Sequence, residues 1–181
     1  MERGLKTTTE IDMMMDLGID IQGLSECNSP WTRGNKAKYN HIVQTLFDNP
    51  RATFSSAPSN ALHNRYQHGG TLLSITGPTA GRIKELGSDP WGRSSWATIH
   101  GKQDEEIFVA SCYRVCQDSP SNAGPLSSYH QQCTLMRTAG IQNPNPRKRF
   151  FTDLLKRIEK QRDLGFCPIV MLDANGDWNA G

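Results

Sequence analysis

The amino-acid sequence predicts an α/β fold in which two packed mixed β-sheets are flanked by helices, a four-layer α/β sandwich. Segments with the period of amphipathic helices are interspersed with short apolar or alternating strands. In the middle of the chain, two strands follow each other across a turn at residues 101–104, which predicts a hairpin. The 181 residues suit a single domain spanning 1–181.

Composition and charge narrow the classes of function. The net charge is +2, with 21% charged and 36% hydrophobic residues, which is an ordinary mixture for a globular protein and by itself does not indicate nucleic-acid binding. No apolar run approaches the length of a membrane span, and the N-terminus lacks the apolar segment of a secretory signal. The expected location is therefore intracellular, nuclear or cytoplasmic, with no membrane partner. The five cysteines are irregularly spaced and indicate neither a disulfide framework nor a zinc site.

The predicted elements follow in a mixed order along the chain. Helices are predicted over residues 7–17, 35–47, 129–138 and 147–164. Strands are predicted over residues 19–26, 52–54, 69–75, 95–99, 106–115 and 169–172. Residues 77–81 predict a turn, and residues 82–87 suit either a strand or a helical turn. The last helix is basic, and its apolar stripe comprises Phe150, Phe151, Leu154, Leu155 and Ile158.

Two predicted strands end at acidic residues. Residues 169–172 form a short apolar run, typical of a strand buried on both faces, and Pro168 is expected to end whatever precedes it. Asp173 and Asn175 follow this run and, being two apart, are expected to point to the same side. Glu26 follows the earlier, alternating strand in the same way. A rigid strand that carries a carboxylate at its tip is a common way to build a functional site.

The order of these features resembles the endonuclease/exonuclease/phosphatase superfamily, Mg-dependent phosphodiesterases that include apurinic endonucleases and DNase I. The resemblance extends over nearly the whole chain and implies a DNase I-like fold. Four short motifs look most like the endonuclease domains of non-LTR retroelements: Tyr-Arg-Val at residues 113–115, the Gln pair at 131–132, the helix start at 146–154, and Leu-Asp-Ala-Asn at 172–175.

The resemblance implies roles for six residues in the cleavage of a phosphodiester. Glu26 is the expected ligand of Mg²⁺, for which Mn²⁺ can substitute. Asp173 is the expected carboxylate that orients or deprotonates the attacking water, and Asn175 and Tyr113 are expected to contact the phosphate. Two arginines match the retroelement-like pattern and are expected to bind substrate: Arg114 and Arg147.

The resemblance also implies segments that lie outside these residues. The superfamily opens with a strand whose metal-site Asn aligns with Met1, and it closes with a further Asp and a Ser-Asp-His segment beyond Gly181. The chain is therefore expected to be an incomplete domain, truncated at both ends, and its activity as a fragment stays open because it lacks the catalytic His. DNA is the expected partner, and a complete chain of this kind is expected to carry a fused reverse transcriptase.

Several alternatives stay open at the level of sequence. The same fold also serves phosphatases and lipid phosphodiesterases, and a remnant of it can bind nucleic acid without catalysis. In a purely structural domain, Asp173 and Asn175 would be turn residues, Tyr113 a core aromatic, and Arg147 part of a solvated helix face. The superfamily fold, unlike a purely structural domain, requires Glu26 and Asp173 to come together at one end of the sheets despite their separation in sequence.

Overall fold

The computed structural model describes residues 7–56, 67–116, 124 and 127–176. Its helices are α1 (Thr7–Leu17), α2 (Arg33–Leu46), α3 (Gly77–Ala80), α4 (Ser128–Thr138) and α5 (Pro146–Asp163). Its strands are β1 (Ile21–Ser25), β2 (Arg51–Ser55), β3 (Thr71–Ile75), β4 (Ile83–Ser88), β5 (Ser94–His100), β6 (Glu106–Tyr113) and β7 (Phe166–Asp173). Of the helices in these ranges, none is both long and apolar enough to cross a bilayer.

The strands form two sheets. In the first, of order β1-β3-β2, all neighbours are antiparallel. In the second, of order β4-β5-β6-β7, β4, β5 and β6 pair antiparallel, whereas β6 and β7 run parallel. The parallel pair is possible because α4 and α5 carry the chain back between these two strands. The predicted pair of sheets is confirmed.

The sheets pack face to face through an interior that changes in chemistry along its length. One end is filled by buried apolar side chains, namely Leu73, Ile75, Ala97, Ile99 and Val109. At the other end the two sheets meet through hydroxyl groups. Ser95 donates to the Thr71 carbonyl at 3.2 Å, and Ser111 donates to the Leu24 carbonyl at 3.1 Å. This polar end lies where β1 and β6 terminate.

Helices cover the outer face of each sheet. On the first sheet, side chains from α1, α2, the strands and the segment before α2 form one buried cluster: Ile11, Trp31, Tyr39, Val43, Phe54 and Leu72. On the second sheet, Phe150 of α5 packs against Phe108, Ala110 and Cys112 of β6. The order of layers is therefore helices, sheet, sheet, helix, and the predicted four-layer sandwich is confirmed.

A buried ion-pair network fixes α5 to the second sheet. Arg93 is only 5% exposed, and its guanidinium bonds Asp89 at 2.7 Å and Asp153 of α5 at 3.0 Å. Desolvation by burial lowers the pKa of Arg93, but the two carboxylates outweigh it and leave that pKa raised. The Arg93 carbonyl also accepts from the Tyr113 amide at 2.8 Å, so the network supports the end of β6.

The last strand differs from its prediction. It begins at Phe166, runs through Pro168, and lies at the edge of its sheet among the described residues. It is not buried on both faces, since Ile169 is 49% and Leu172 37% exposed. An edge strand tolerates proline because its outer N–H groups have no partner in the sheet. An apolar run does not reveal whether a strand is central or at an edge.

Other boundaries were also predicted imperfectly. Residues 77–81 form the short helix α3 with Gly81 as its cap, and residues 83–87 of the undecided segment belong to β4. The apolar stripe of α5 is narrower than predicted, because Phe151 and Leu155 are 37% and 55% exposed. The Phe151 ring packs instead beneath the Arg114 guanidinium, 4.7 Å from the ring centroid. The loops predicted around residues 57–66 and 118–123 lie outside the described residues.

This packing predicts different reactivities for the cysteines. Cys112 is buried under α5, and desolvation raises the pKa of its thiol to about 12, so at pH 8 it carries almost no reactive thiolate. Cys116 and Cys167 are exposed. We expect iodoacetamide at pH 8 to alkylate the two exposed cysteines and to spare Cys112 until denaturant is added, as read by peptide mass spectrometry. Equal alkylation of Cys112 and Cys167 in the folded protein would contradict the packing of α5.

Candidate active site

Three of the sequence-predicted residues meet where β1, β6 and β7 end. Tyr113 is the last residue of β6 and stands directly opposite Asp173, the last residue of β7, in the parallel register. Glu26 immediately follows β1, and its Oε1 accepts a hydrogen bond from the Tyr113 hydroxyl at 2.6 Å. Residues opposite each other in neighbouring strands point to the same face. The structure therefore places Glu26 and Asp173 at the same end of the two sheets, on the side to which Tyr113 points.

Tyr113 orients the Glu26 carboxylate. Its side chain is 3% exposed, and burial, followed by the hydrogen bond to Glu26, raises its pKa well above the usual range for tyrosine. The hydroxyl therefore stays protonated at neutral pH, and its one proton is donated to Glu26. The contact between Tyr113 and a phosphate stays a prediction. It requires the hydroxyl proton to be donated to a phosphate oxygen instead of to Glu26.

The segment after β1 holds Glu26 in an unusual backbone conformation. Glu26 has φ 49°, in the left-handed region that non-glycine residues seldom adopt. Backbone bonds from Cys27 to the Gly70 carbonyl (3.3 Å) and from Asn28 to the Gly69 carbonyl (2.9 Å) fix this turn. The Asn28 side chain accepts from the Gly69 amide at 2.9 Å. Such a conformation costs of order 1–3 kcal/mol and is typical of functional sites, where neighbouring contacts impose it.

Gly69 lets this turn approach Tyr113. Its φ is 75°, and a Cβ atom at this position would lie 3.1 Å from Cε1 of Tyr113 and 2.7 Å from the hydroxyl of Ser128. A larger residue would therefore push the turn away from the tyrosine. The preceding segment is tied to α4 by a hydrogen bond from the Gln67 side chain to that of Gln131. The sequence indicated a glycine-led strand here, but the contact with Tyr113 has no sequence signal.

The tip after β7 is a tight polar turn. The Asn175 amide donates to Oδ1 of Asp173 at 3.3 Å, and the Asn175 side chain donates to the Arg114 carbonyl at 2.9 Å. The Arg114 amide donates to the Asp173 carbonyl at 2.9 Å, which extends the pairing of the two strands by one residue. Asn175 has φ 42°, a conformation that asparagine tolerates better than most residues. Asp173 and Asn175 are thus turn residues, and they are also the residues that the resemblance assigns to the site.

The two arginines brace this tip. Arg147 at the start of α5 donates to the Val115 carbonyl at 2.6 Å and to the Asn175 carbonyl at 3.0 Å. Arg114 donates to the Ala174 carbonyl at 3.3 Å. Desolvation, and then the charge of Arg147, lower the pKa of Arg114. The guanidinium bonds seen here are structural, and substrate binding by these arginines stays a prediction.

The carboxylates at this end suit a hard divalent cation. Among the described residues, no group of three or more His, Cys, Asp or Glu side chains is arranged to hold a metal ion. Mg²⁺, however, is commonly held by only one or two carboxylates together with water and substrate oxygens. Glu26 is exposed and oriented by Tyr113, and Asp173 is half-buried nearby. This all-oxygen donor set fits Mg²⁺ or Mn²⁺ better than a softer metal.

Comparison with known proteins identifies the fold. No family model and no curated protein sequence matches the chain. Among solved structures, the human Nocturnin catalytic domain with a bound sulfate anion matches with a TM-score of 0.60 at 13% identity. The chain therefore shares the fold of this domain. The match covers 99% of this chain and 60% of that chain. At this identity the likeness concerns the fold alone, and the finer resemblance to retroelement endonucleases rests on the sequence motifs.

The bond between Tyr113 and Glu26 predicts an energetic coupling between the two residues. In a double-mutant cycle of Tyr113→Phe and Glu26→Gln, we expect a coupling energy of about 1 kcal/mol, since either substitution weakens the same hydrogen bond. Chemical denaturation of the four proteins measures it. Tyr129→Phe, a hydroxyl removal on α4, is the matched control and should show no coupling to Glu26→Gln. Equal coupling for both tyrosines would contradict the assignment.

The two hydrogen bonds of the Arg147 side chain predict that the Asp173–Asn175 turn opens locally when Arg147 is replaced. Arg147→Lys keeps the charge but cannot reach both carbonyls in the same geometry, so the tip should loosen. We expect hydrogen exchange of the Arg114 amide, which donates to Asp173, to accelerate roughly tenfold or more. NMR-detected exchange provides the measurement, and Lys148→Arg, an exposed neighbour, is the control. Unchanged exchange in Arg147→Lys would show that the tip does not depend on this side chain.

Proposed function

We propose that this chain is part of a Mg²⁺-dependent phosphodiesterase that cleaves DNA, an endonuclease of the retroelement type. The observation that carries the proposal is the joint placement of Glu26, Tyr113 and Asp173 at one end of two packed sheets. These residues are distant in sequence, and a purely structural domain gives no reason for two carboxylates to flank one buried tyrosine. The sequence motifs supply the choice of DNA and of the retroelement type.

The arrangement suits hydrolysis of a phosphodiester. Asp173, fixed at the strand end, would orient a water molecule in line with phosphorus and accept its proton. Glu26, oriented by Tyr113, and Asp173 would hold the metal ion. Mg²⁺, or Mn²⁺ in its place, would supply positive charge next to the phosphate oxygens. Asn175 would donate a hydrogen bond to a phosphate oxygen, since an amide nitrogen carries two protons and the Arg114 carbonyl accepts only one.

The charge around the tip favours an anionic substrate. Arg114 and Arg147 lie behind the Asp173–Asn175 turn and donate to its carbonyls, so their positive field acts at the site. Lys148 and Arg149 extend this basic region along the first turn of α5. The sulfate anion bound by the Nocturnin catalytic domain is tetrahedral and anionic, as a phosphate group is. A phosphodiester backbone at the tip would meet the positive charges of Arg114, Arg147 and Lys148.

A second candidate is a nucleic-acid-binding domain without catalysis. It is favoured by the internal use of the polar groups at the site, because Tyr113 donates to Glu26 and Arg147 donates to two carbonyls. Groups engaged in this way stabilise the tip and contribute positive charge without taking part in bond cleavage. DNA binding without cleavage would distinguish this candidate from the nuclease.

Nicking of supercoiled plasmid tests the proposal. We expect the protein to nick DNA in Mg²⁺ and not in EDTA, and Asp173→Asn to lower the rate about a hundredfold or more, since it removes the proton acceptor. Asp104→Asn, an exposed change in the turn between β5 and β6, is the matched control and should leave the rate unaltered. Equal nicking by Asp173→Asn and the control would contradict the role of Asp173. DNA binding with no nicking would favour the second candidate.

A further inference from the structure

A groove lies between α5 and the outer face of the second sheet. Its volume is about 760 Å³, and its walls come from β4, β5, the start of β7 and the second half of α5. Phe166 lines the groove, whereas Asp173 lies at the other end of the same 8-residue strand, about 23 Å away. The groove is therefore separate from the candidate active site.

The groove carries an excess of positive charge. Four cations line it, namely Lys84, Lys156, Arg157 and Lys160, against two carboxylates, Glu85 and Asp153. Asp153 is already engaged by Arg93 at 3.0 Å and by Arg149 at 3.3 Å. Lys156 and Lys160 are exposed, one helical turn apart, and make no ion pair with any other described residue. These two lysines are available to an anionic ligand.

The aromatic residues of the groove hold two of its cations in place. The Arg157 guanidinium lies 5.1 Å from the Trp96 ring centroid. Lys84 Nζ lies 5.5 Å from the Phe166 ring centroid and also pairs with Glu106 at 2.8 Å, which offsets its charge. Trp96 packs directly on Gly87, where an added Cβ would come within 2.1 Å of the indole. The absence of a side chain at Gly87 thus gives the indole its position. The groove combines fixed cations, free lysines and aromatic surface.

Two polar atoms in the groove wall have no partner in the described part of the chain. These are the indole Nε1 of Trp96 and Oε1 of Gln161, whose side chain is 9% exposed. A buried polar atom without a partner costs about 1–3 kcal/mol. Both atoms are enclosed within the wall, so the exposed charges of the groove, rather than these two atoms, indicate the ligand.

We propose that this groove binds a single strand of nucleic acid, with its phosphates on Lys156 and Lys160 and without sequence preference. A basic groove with aromatic surface is the typical means of binding single strands. An acidic polypeptide is the competing ligand, and a comparison with polyglutamate separates the two. The proposal goes beyond cleavage, since it involves none of the residues at the Asp173 end.

Fluorescence anisotropy with a labelled oligothymidylate of about 16 nucleotides tests this groove. EDTA is present throughout, so that cleavage does not contribute. We expect Lys156→Gln with Lys160→Gln to weaken binding at least about tenfold at low salt, and to reduce the slope of log Kd against log salt by about 1.4. Lys102→Gln with Arg162→Gln makes the same charge change in a turn and on the opposite side of α5, and should leave both quantities unchanged.

Equal binding by the two double variants would overturn the proposal. It would also be overturned if polyglutamate bound the wild type as tightly as the oligonucleotide and lost affinity equally in the Lys156 and Lys160 variant, since the groove would then recognise acidic polypeptide. If the groove binds the oligonucleotide but the protein does not nick DNA, the proposed cleavage is refuted and this inference stands.

Discussion

The hydrogen bond from the buried Tyr113 hydroxyl to the Glu26 carboxylate connects the two sheets at their polar end. It joins β6 of one sheet to the turn after β1 of the other, beside the hydroxyl contacts of Ser95 and Ser111. Apolar side chains fill the opposite end of the interior. The sheets are therefore held together by apolar packing at one end and by hydrogen bonds at the other. Burial keeps Tyr113 protonated, and the bond therefore persists across the neutral pH range.

The carboxylates at this end depend on supports from several parts of the chain. Glu26 sits in a left-handed turn that Asn28 and Gly69 hold by mutual hydrogen bonds. The tip carrying Asp173 is braced from α5 by Arg147, and α5 is in turn fixed by the buried pairing of Arg93 with Asp153. A defined site geometry requires such supports, because carboxylates on unsupported loops would not keep a fixed separation.

Much of the fold follows from periodicity in the sequence, because helices and strands leave different patterns of apolar residues. The sequence predicted strands least well where their burial depends on neighbouring layers. Exposed Lys84 and Glu85 left β4 undecided, and the apolar β7, predicted to be buried on both faces, lies at an edge. Sequence order placed Glu26 and Asp173 at strand ends, and the structure brings them to one end. The supports were missed because Arg147 bonds backbone carbonyls, which every residue has and no side-chain pattern encodes.

We propose that the end shared by Glu26, Tyr113 and Asp173 is a divalent-metal site, and titration of the ¹⁵N-labelled protein with Mn²⁺ tests this claim. Paramagnetic Mn²⁺ broadens the NMR signals of amides near its binding site. Residues 26–28, 113–114 and 173–175 should broaden first, and Glu26→Gln should weaken the effect because it removes a carboxylate ligand. Broadening centred on other acidic residues, or unchanged by Glu26→Gln, would contradict the claim.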